Sequence, residues 1–445
     1  MRVVASILAL LVVAWARADD LAARIAAAAP GDTFEVGPGV YTGPVRVERP
    51  LRLVGRGRPV IDGRGAHDIV TIAAEHVEIR GFVIRHSGDD LDHESAAVRV
   101  LAGHAIVEDN IIEDALFGID LKAAPDSVIR GNVVGGKALD IARRGDGLRL
   151  WRSDRTLVEG NTFRDGRDAI LWYSSDVLVR GNVVDRCRYG LHLMYSDRVT
   201  LEDNDLTRNS VGVYFMYSNQ LTLTNNRLLR NRGPSGYGVG LKESGNYRIE
   251  GNLIAGNRVG VYFDGSPFAP GGEALLTGNT IAVNDVGLAL LPSVGGNTFT
   301  GNSFVDNLEQ LAVLGRGNAS RNAFALNDRG NFWSDYVGYD QDGDGIGDFE
   351  HEPAHLVESL LDREPKAKLL LFSPAEQAIE FVGRALPFTR PDPKFRDPAP
   401  LMRPPAVAAT KHGRPASLAL AAAALAAVGG LIVAGARLGP KESTP

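Results

Sequence analysis

The sequence has almost no cysteine: Cys187 stands alone among 445 residues. A lone thiol excludes a disulfide framework, and in a turn-rich β chain it reads as a small buried core residue. There is no Walker A phosphate loop in the sequence. The formal net charge of -6 gives no basic footprint for nucleic acid. Between residues 108 and 328 no apolar stripe runs at helical spacing, which leaves helices out of the body of the fold.

Glycine, by contrast, is plentiful at 51 residues, and a short phrase is written repeatedly. An Asn opens an apolar pair at Asn110, Asn132, Asn161, Asn182, Asn204, Asn226, Asn252, Asn279, Asn302 and Asn322. A Gly opens an alternating run at Gly118, Gly147, Gly190, Gly212, Gly238, Gly260 and Gly287, with Ala169 once in its place. Asn to the next Gly is usually 8 residues and Gly to the next Asn usually 14, so the unit is about 22 residues with two or three period-2 strands. No unit can bury its apolar positions alone, whereas stacking pairs each strand with its equivalent one coil away at ~4.8 Å. The spacing predicts an all-β fold, a right-handed parallel β-helix, with the recurrent Asn forming a hydrogen-bonded ladder at one corner. A leucine-rich repeat of similar period would need Leu at fixed offsets and a helical side.

The ends differ from the middle. Residues 1–18 read as a secretory signal peptide and 19–30 as a helical N-terminal cap over the first coil. The β-helix is expected over 31–328, an Asp-rich loop region over 329–352, and a C-terminal helical cap over 353–386 with Ala378, Ile379, Phe381 and Val382 as its apolar face. A Pro-rich tether follows over 387–415, in which Leu401 and Met402 suggest a docking motif. Residues 416–436 carry no charge and match the ~20 residues of a transmembrane helix. These features predict an exported solenoid anchored to the membrane by a C-terminal helix, with the last few residues left in the cytoplasm.

Three departures from the 22-residue unit, before Ala97, Gly147 and Gly238, fall in the same connection and must project from one edge. The last two bracket coils whose outward positions carry Trp151, Trp172, Met194 and Met216, beside Arg149, Leu171, His192 and Tyr214. Large apolar side chains there form either a contact surface or a corner buried by a bend. His192 and Met194 lie two apart on one strand, roughly 7 Å, and Met216 lies one coil over. Imidazole plus thioether is a Cu(I)-type ligand set. Asp340, Asp342 and Asp344, followed by Gly345 and Asp348, begin an oxygen-rich Ca²⁺ loop, but the twelfth position is His351, which leaves an unmetallated Asx-turn stretch as the alternative. Many parallel β-helices act on polysaccharides, so a pectin-lyase-like enzyme or a carbohydrate-binding protein is the competing reading. Its carboxylates and bases would be Asp120, Lys122, Arg149, Asp168 and His192, scattered over several coils.

Across residues 19–405 the sequence resembles the NosD family, exported accessory proteins for copper-site maturation of nitrous oxide reductase. The resemblance rests on Gly31-Asp32-Thr33, on Gly190 to Ser196 with Met194-Tyr195-Ser196, and on Gly212 to Ser218 with Met216-Tyr217-Ser218. It extends to Asn331-Phe332-Trp333, the Asp340 to Asp348 loop and Pro400-Leu401-Met402-Arg403-Pro404. It implies a non-catalytic periplasmic protein working with an ABC transporter (permease NosY, ATPase NosF), the copper chaperone NosL and the reductase. Trp151, Trp172, Tyr195, Tyr214, Tyr217, Leu401 and Met402 are then the expected partner-binding residues, with His192, Met194 and Met216 a transient Cu(I) site.

Overall fold

The computed structural model describes residues 21–269, 271–353, 357, 360, 364–370, 373–386 and 392–405. These belong to one compact unit; a second, over 408–445, lies outside the described residues, as do 1–18.

Each coil contributes one short strand to each of three parallel sheets of 12, 13 and 12 strands, so partners in a sheet are three strands apart in sequence. Alternation builds the interior. In three strands of the third sheet, Leu148 and Leu150, Leu191 and Leu193, and Val213 and Phe215 point inward and are buried. The repeat glycines of this sheet are needed because the coils touch there: a Cβ on Gly190 would lie 2.5 Å from the Gly212 carbonyl oxygen.

Three polar ladders close the corners. In the first, each Asn side-chain oxygen accepts from the backbone and side-chain N–H groups of the Asn one coil before, as Asn204 Oδ1 does from Asn182 N (2.9 Å) and Nδ2 (3.0 Å). The residue before each rung as far as Asn302 turns the corner at positive φ, which explains why it is Gly at Gly131 and Gly181 but Asp or Asn at Asp109, Asp203 and Asn225. A second ladder runs through Asn209, Asn231, Asn257, Asn284 and Asn307. The third is made of serine, with Ser153, Ser174, Ser196, Ser218, Ser244 and Ser266 linked hydroxyl to backbone amide.

At the proximal end helix α1 (Leu21–Ala27) turns Leu21 and Ile25 onto the core. The distal end differs from expectation. Helix α2 (Pro374–Ala385) forms, capped by Ser373, but Phe381 is 66% and Val382 43% exposed, so its apolar residues do not seal the coil. The seal comes from 392–402, expected as a free tether. Phe395 stacks on Phe324 and Trp333, and Asp397 accepts from Asn331 N (2.8 Å) and Trp333 Nε1 (2.8 Å). Leu401 is likewise corrected: it is buried, bridged to Phe332 and Ile346, and cannot serve as a docking side chain. Met402 beside it is half-buried and donates its N–H to the Gly345 carbonyl.

The fold class is corrected to a parallel β-solenoid with few helices: among the described residues no helix is long and apolar enough to cross a membrane. The expected C-terminal transmembrane helix, residues 416–436, lies outside the described residues.

Candidate functional site

The third sheet carries the site on its outer face. Inserted segments 86–95, 137–147 and 230–236 all occur where the chain passes from the second sheet to the third, and so flank one edge of this face. The opposite edge is a tyrosine ladder at the turn leaving the sheet. Tyr173, Tyr195 and Tyr217 all adopt positive φ and stack at 5.1 and 5.0 Å. Tyr173 and Tyr195 are each 42% exposed. Ala123, Arg152 and Glu243 turn the same corner at positive φ, so this conformation belongs to the architecture.

Register between these edges aligns Trp151, Trp172, Met194 and Met216 in one outward column, half-buried throughout. Trp151 and Trp172 meet edge to face at 4.6 Å. The Trp172 indole N–H is buried and finds no acceptor among the described residues. The neighbouring column runs Asp120, Arg149, Ile170, His192 and Tyr214. Leu171, expected there, is buried in the core; an irregularity between Asp168 and Ile170 shifts the register by one residue, and a one-residue slip reverses the face.

This second column is outward yet buried. Its lower part is an ion network: Asp120, with no exposure, lies between Arg99 and Arg149, whose Nε donates to Oδ1 at 2.8 Å. Glu94 from the first inserted segment accepts from Arg149 (2.6 and 2.7 Å) and Lys122 (2.6 Å). The Arg149 hydrogen bonds, with help from Lys122 and against burial, hold the Glu94 carboxyl down at about 2.

The upper part is different. His192, 6% exposed, donates from Nδ1 to Asp168 Oδ2 at 3.2 Å, while Nε2 lies 3.4 Å from Met216 Sδ. In the neutral imidazole this places the proton on Nδ1 and leaves the Nε2 lone pair beside a thioether. Carboxylate–histidine pairing of this kind orients metal-binding imidazoles. Burial would raise Asp168, but hydrogen bonds from His192 and Arg188 hold its carboxyl below the usual range. Arg188 lies over Tyr189 at 4.5 Å, and Tyr189 meets His192 edge-on at 5.0 Å. His192 thus meets Met216 of the next coil; Met194 stands in register between Trp172 and Met216. Tyr214, 8% exposed, lines the site's wall.

Sequence reasoning missed Arg188 and the bond to Asp168. The available signal was the Ala169 offset, since the register break there brings Asp168 under His192. The acidic residues converge only in part. Asp340, Asp342 and Asp344 bring ligand oxygens within 4.8 Å of one another, whereas Asp348 accepts from Gln341 N at 2.8 Å. Asp340 also takes the amides of Gly343 and Gly345, so these carboxylates already fold the loop as Asx turns.

Asp120 and Asp168 are both closed to solvent and bound by guanidinium groups, so neither is placed to exchange a proton with a saccharide. The outer face of the third sheet is thus an aromatic and thioether surface between two built edges. A family model described as periplasmic copper-binding protein (NosD) matches residues 132–338. A probable ABC transporter binding protein NosD of Pseudomonas aeruginosa is 31% identical, over 90% of this chain and 95% of its own. Its counterpart from Stutzerimonas stutzeri is 33% identical over 82% and 86%. The chain belongs to the NosD family. Among solved structures, the A-module of the Azotobacter vinelandii mannuronan C-5 epimerase AlgE6 superposes with a TM-score of 0.53 at 17% identity, over 68% of this chain and 92% of that one, a likeness of fold alone.

Proposed function

We propose that this protein is a non-catalytic periplasmic assembly factor for the copper site of nitrous oxide reductase. Its third-sheet face docks a copper-carrying partner, and His192 with Met216 relays Cu(I). The observation that carries this reading is the His192 geometry: one nitrogen fixed by a buried carboxylate, the other open beside a thioether. Two thioethers and one imidazole make a soft, releasable set that suits transfer better than a closed thiolate cage. Trp151, Trp172, Tyr195 and Tyr217 supply the aromatic anchors of a docking face. The names of the two relatives support an ABC transporter as one partner, with NosY as permease and NosF as ATPase; NosL would deliver copper and the reductase receive it.

The test replaces Met194 and Met216 together by Leu, which nearly keeps volume and removes only the sulfur ligands. The variant should fold and bind partners normally, lose Cu(I) uptake under reducing conditions, and leave the reductase short of copper. A fully loaded reductase would end the relay, and polysaccharide cleavage or epimerisation by the purified protein would end the assembly reading.

A further inference from the structure

The first inserted segment brings His93 and Asp90 over His67 of the preceding coil, away from the His192 column. One ligand atom from each of the three lies within 4.8 Å of the others. The two imidazoles stack at 4.4 Å, and His93 Nδ1 donates to Asp90 Oδ2 at 2.6 Å.

The position of each ligand is built from its neighbour. Asp68, next to His67, accepts from Arg99 (2.9 and 3.1 Å) and from the backbone of Ala96 (2.9 Å). Glu94, next to His93, is held by Arg149 and Lys122. Asp90 Oδ1 accepts from the Asp92 amide at 2.9 Å, which shapes the turn from Asp90 to His93. The backbone under all three is thus tied to the solenoid by ion pairs and turns, while His67 and His93 keep exposed rings.

We propose that His67, Asp90 and His93 form a second metal site, for a divalent first-row ion such as Zn(II) or Cu(II). Two imidazoles and a carboxylate are borderline-to-hard donors that prefer such ions to Cu(I). Bonds of about 2.0–2.1 Å place tetrahedral ligands roughly 3.3 Å apart, so the His93–Asp90 pair opens slightly from 2.6 Å while His67 closes by at most about 1.5 Å, within reach of side-chain rotation. The ion replaces the proton between His93 and Asp90, joins the inserted segment to the coil of His67, and leaves one coordination position to solvent. It acts as a staple at the edge of the docking face and does not depend on the Cu(I) relay.

The full chain, stripped with chelator, is titrated with ZnCl₂ alone near neutral pH, and its thermal midpoint is recorded with and without the ion. The wild type should take up one ion and melt higher with it. His67→Ala/His93→Ala should lose at least about tenfold in affinity and lose the shift in midpoint. A His67→Gln/His93→Gln chain, matched to the wild type by circular dichroism, guards against misfolding. Asp90→Asn should weaken binding with the turn retained, and His192→Ala/Met216→Leu should bind Zn(II) as the wild type does. No uptake by the wild type, unchanged affinity in both double His variants, or uptake that follows His192 would overturn the proposal.

Discussion

Asp146 is a carboxyl whose burial favours its protonated form. Burial pushes it up to about 6, with Arg167 pulling it down and the neighbouring Asp168 adding to the push. A folded value above the ordinary 3.8 means that its contribution to stability is complete below that pH and is lost as pH rises through about 6. The unfolding free energy of the wild type relative to Asp146→Asn should therefore fall between about pH 4 and pH 6 and then level off; a rise over that range would reverse the assignment. Single residues were unevenly legible in the sequence. His192, Met216 and Trp151 were named from alternation, because a period of two assigns every side chain to a face, whereas Trp172 joined them against the Ala169 offset. The same rule failed at Leu171, because one irregular residue changes the parity of everything after it. Cys187 was legible for a simple reason: a small apolar thiol in a repeat is filler, and burial pushes it up to about 12, where it is inert.

At the scale of the elements, the first Asn ladder was legible because Asn recurs at a fixed offset from an apolar pair. The second Asn ladder and the serine ladder escaped notice, since Ser174, Ser196 and Ser218 look like ordinary turn residues until stacking aligns them. Helix α2 shows the limit from the other side: its periodic apolar residues predict a helix but do not say what it covers. The ladders carry a measurable load. Asn204→Leu would leave Asn182 N without its acceptor and the Val179 carbonyl without its side-chain donor, both buried, while Asn182 Nδ2 keeps the Val158 and Arg180 carbonyls. At about 1–3 kcal/mol for each group, the loss should come to roughly 4 kcal/mol. Urea unfolding at unchanged m would read it; a loss below 1 kcal/mol would mean that water replaces the rung.

For the whole molecule, winding and coil length could be read from the sequence, because only stacking can bury such short strands. The distal end could not, since Asp397 lies 66 residues beyond the rung it touches and is surrounded by prolines that suggest a spacer. Its carboxylate takes the place the next Asn would fill, accepting from both Asn331 N and Asn331 Nδ2. An amide there would accept the bond and pass another on; a carboxylate accepts and passes nothing. Asp397 therefore ends this stack as a terminator ends a growing polymer. Without it, the last coil is an active chain end, with strand-edge amides ready to recruit a second molecule. Because helix α1 still covers the proximal end, Asp397→Ala should pair molecules distal end to distal end, visible as a doubled mass in light scattering; an unchanged monomer mass would mean that Asp397 does not guard this end. On this account the length of the protein is set chemically, by one oxygen where the repeat calls for nitrogen.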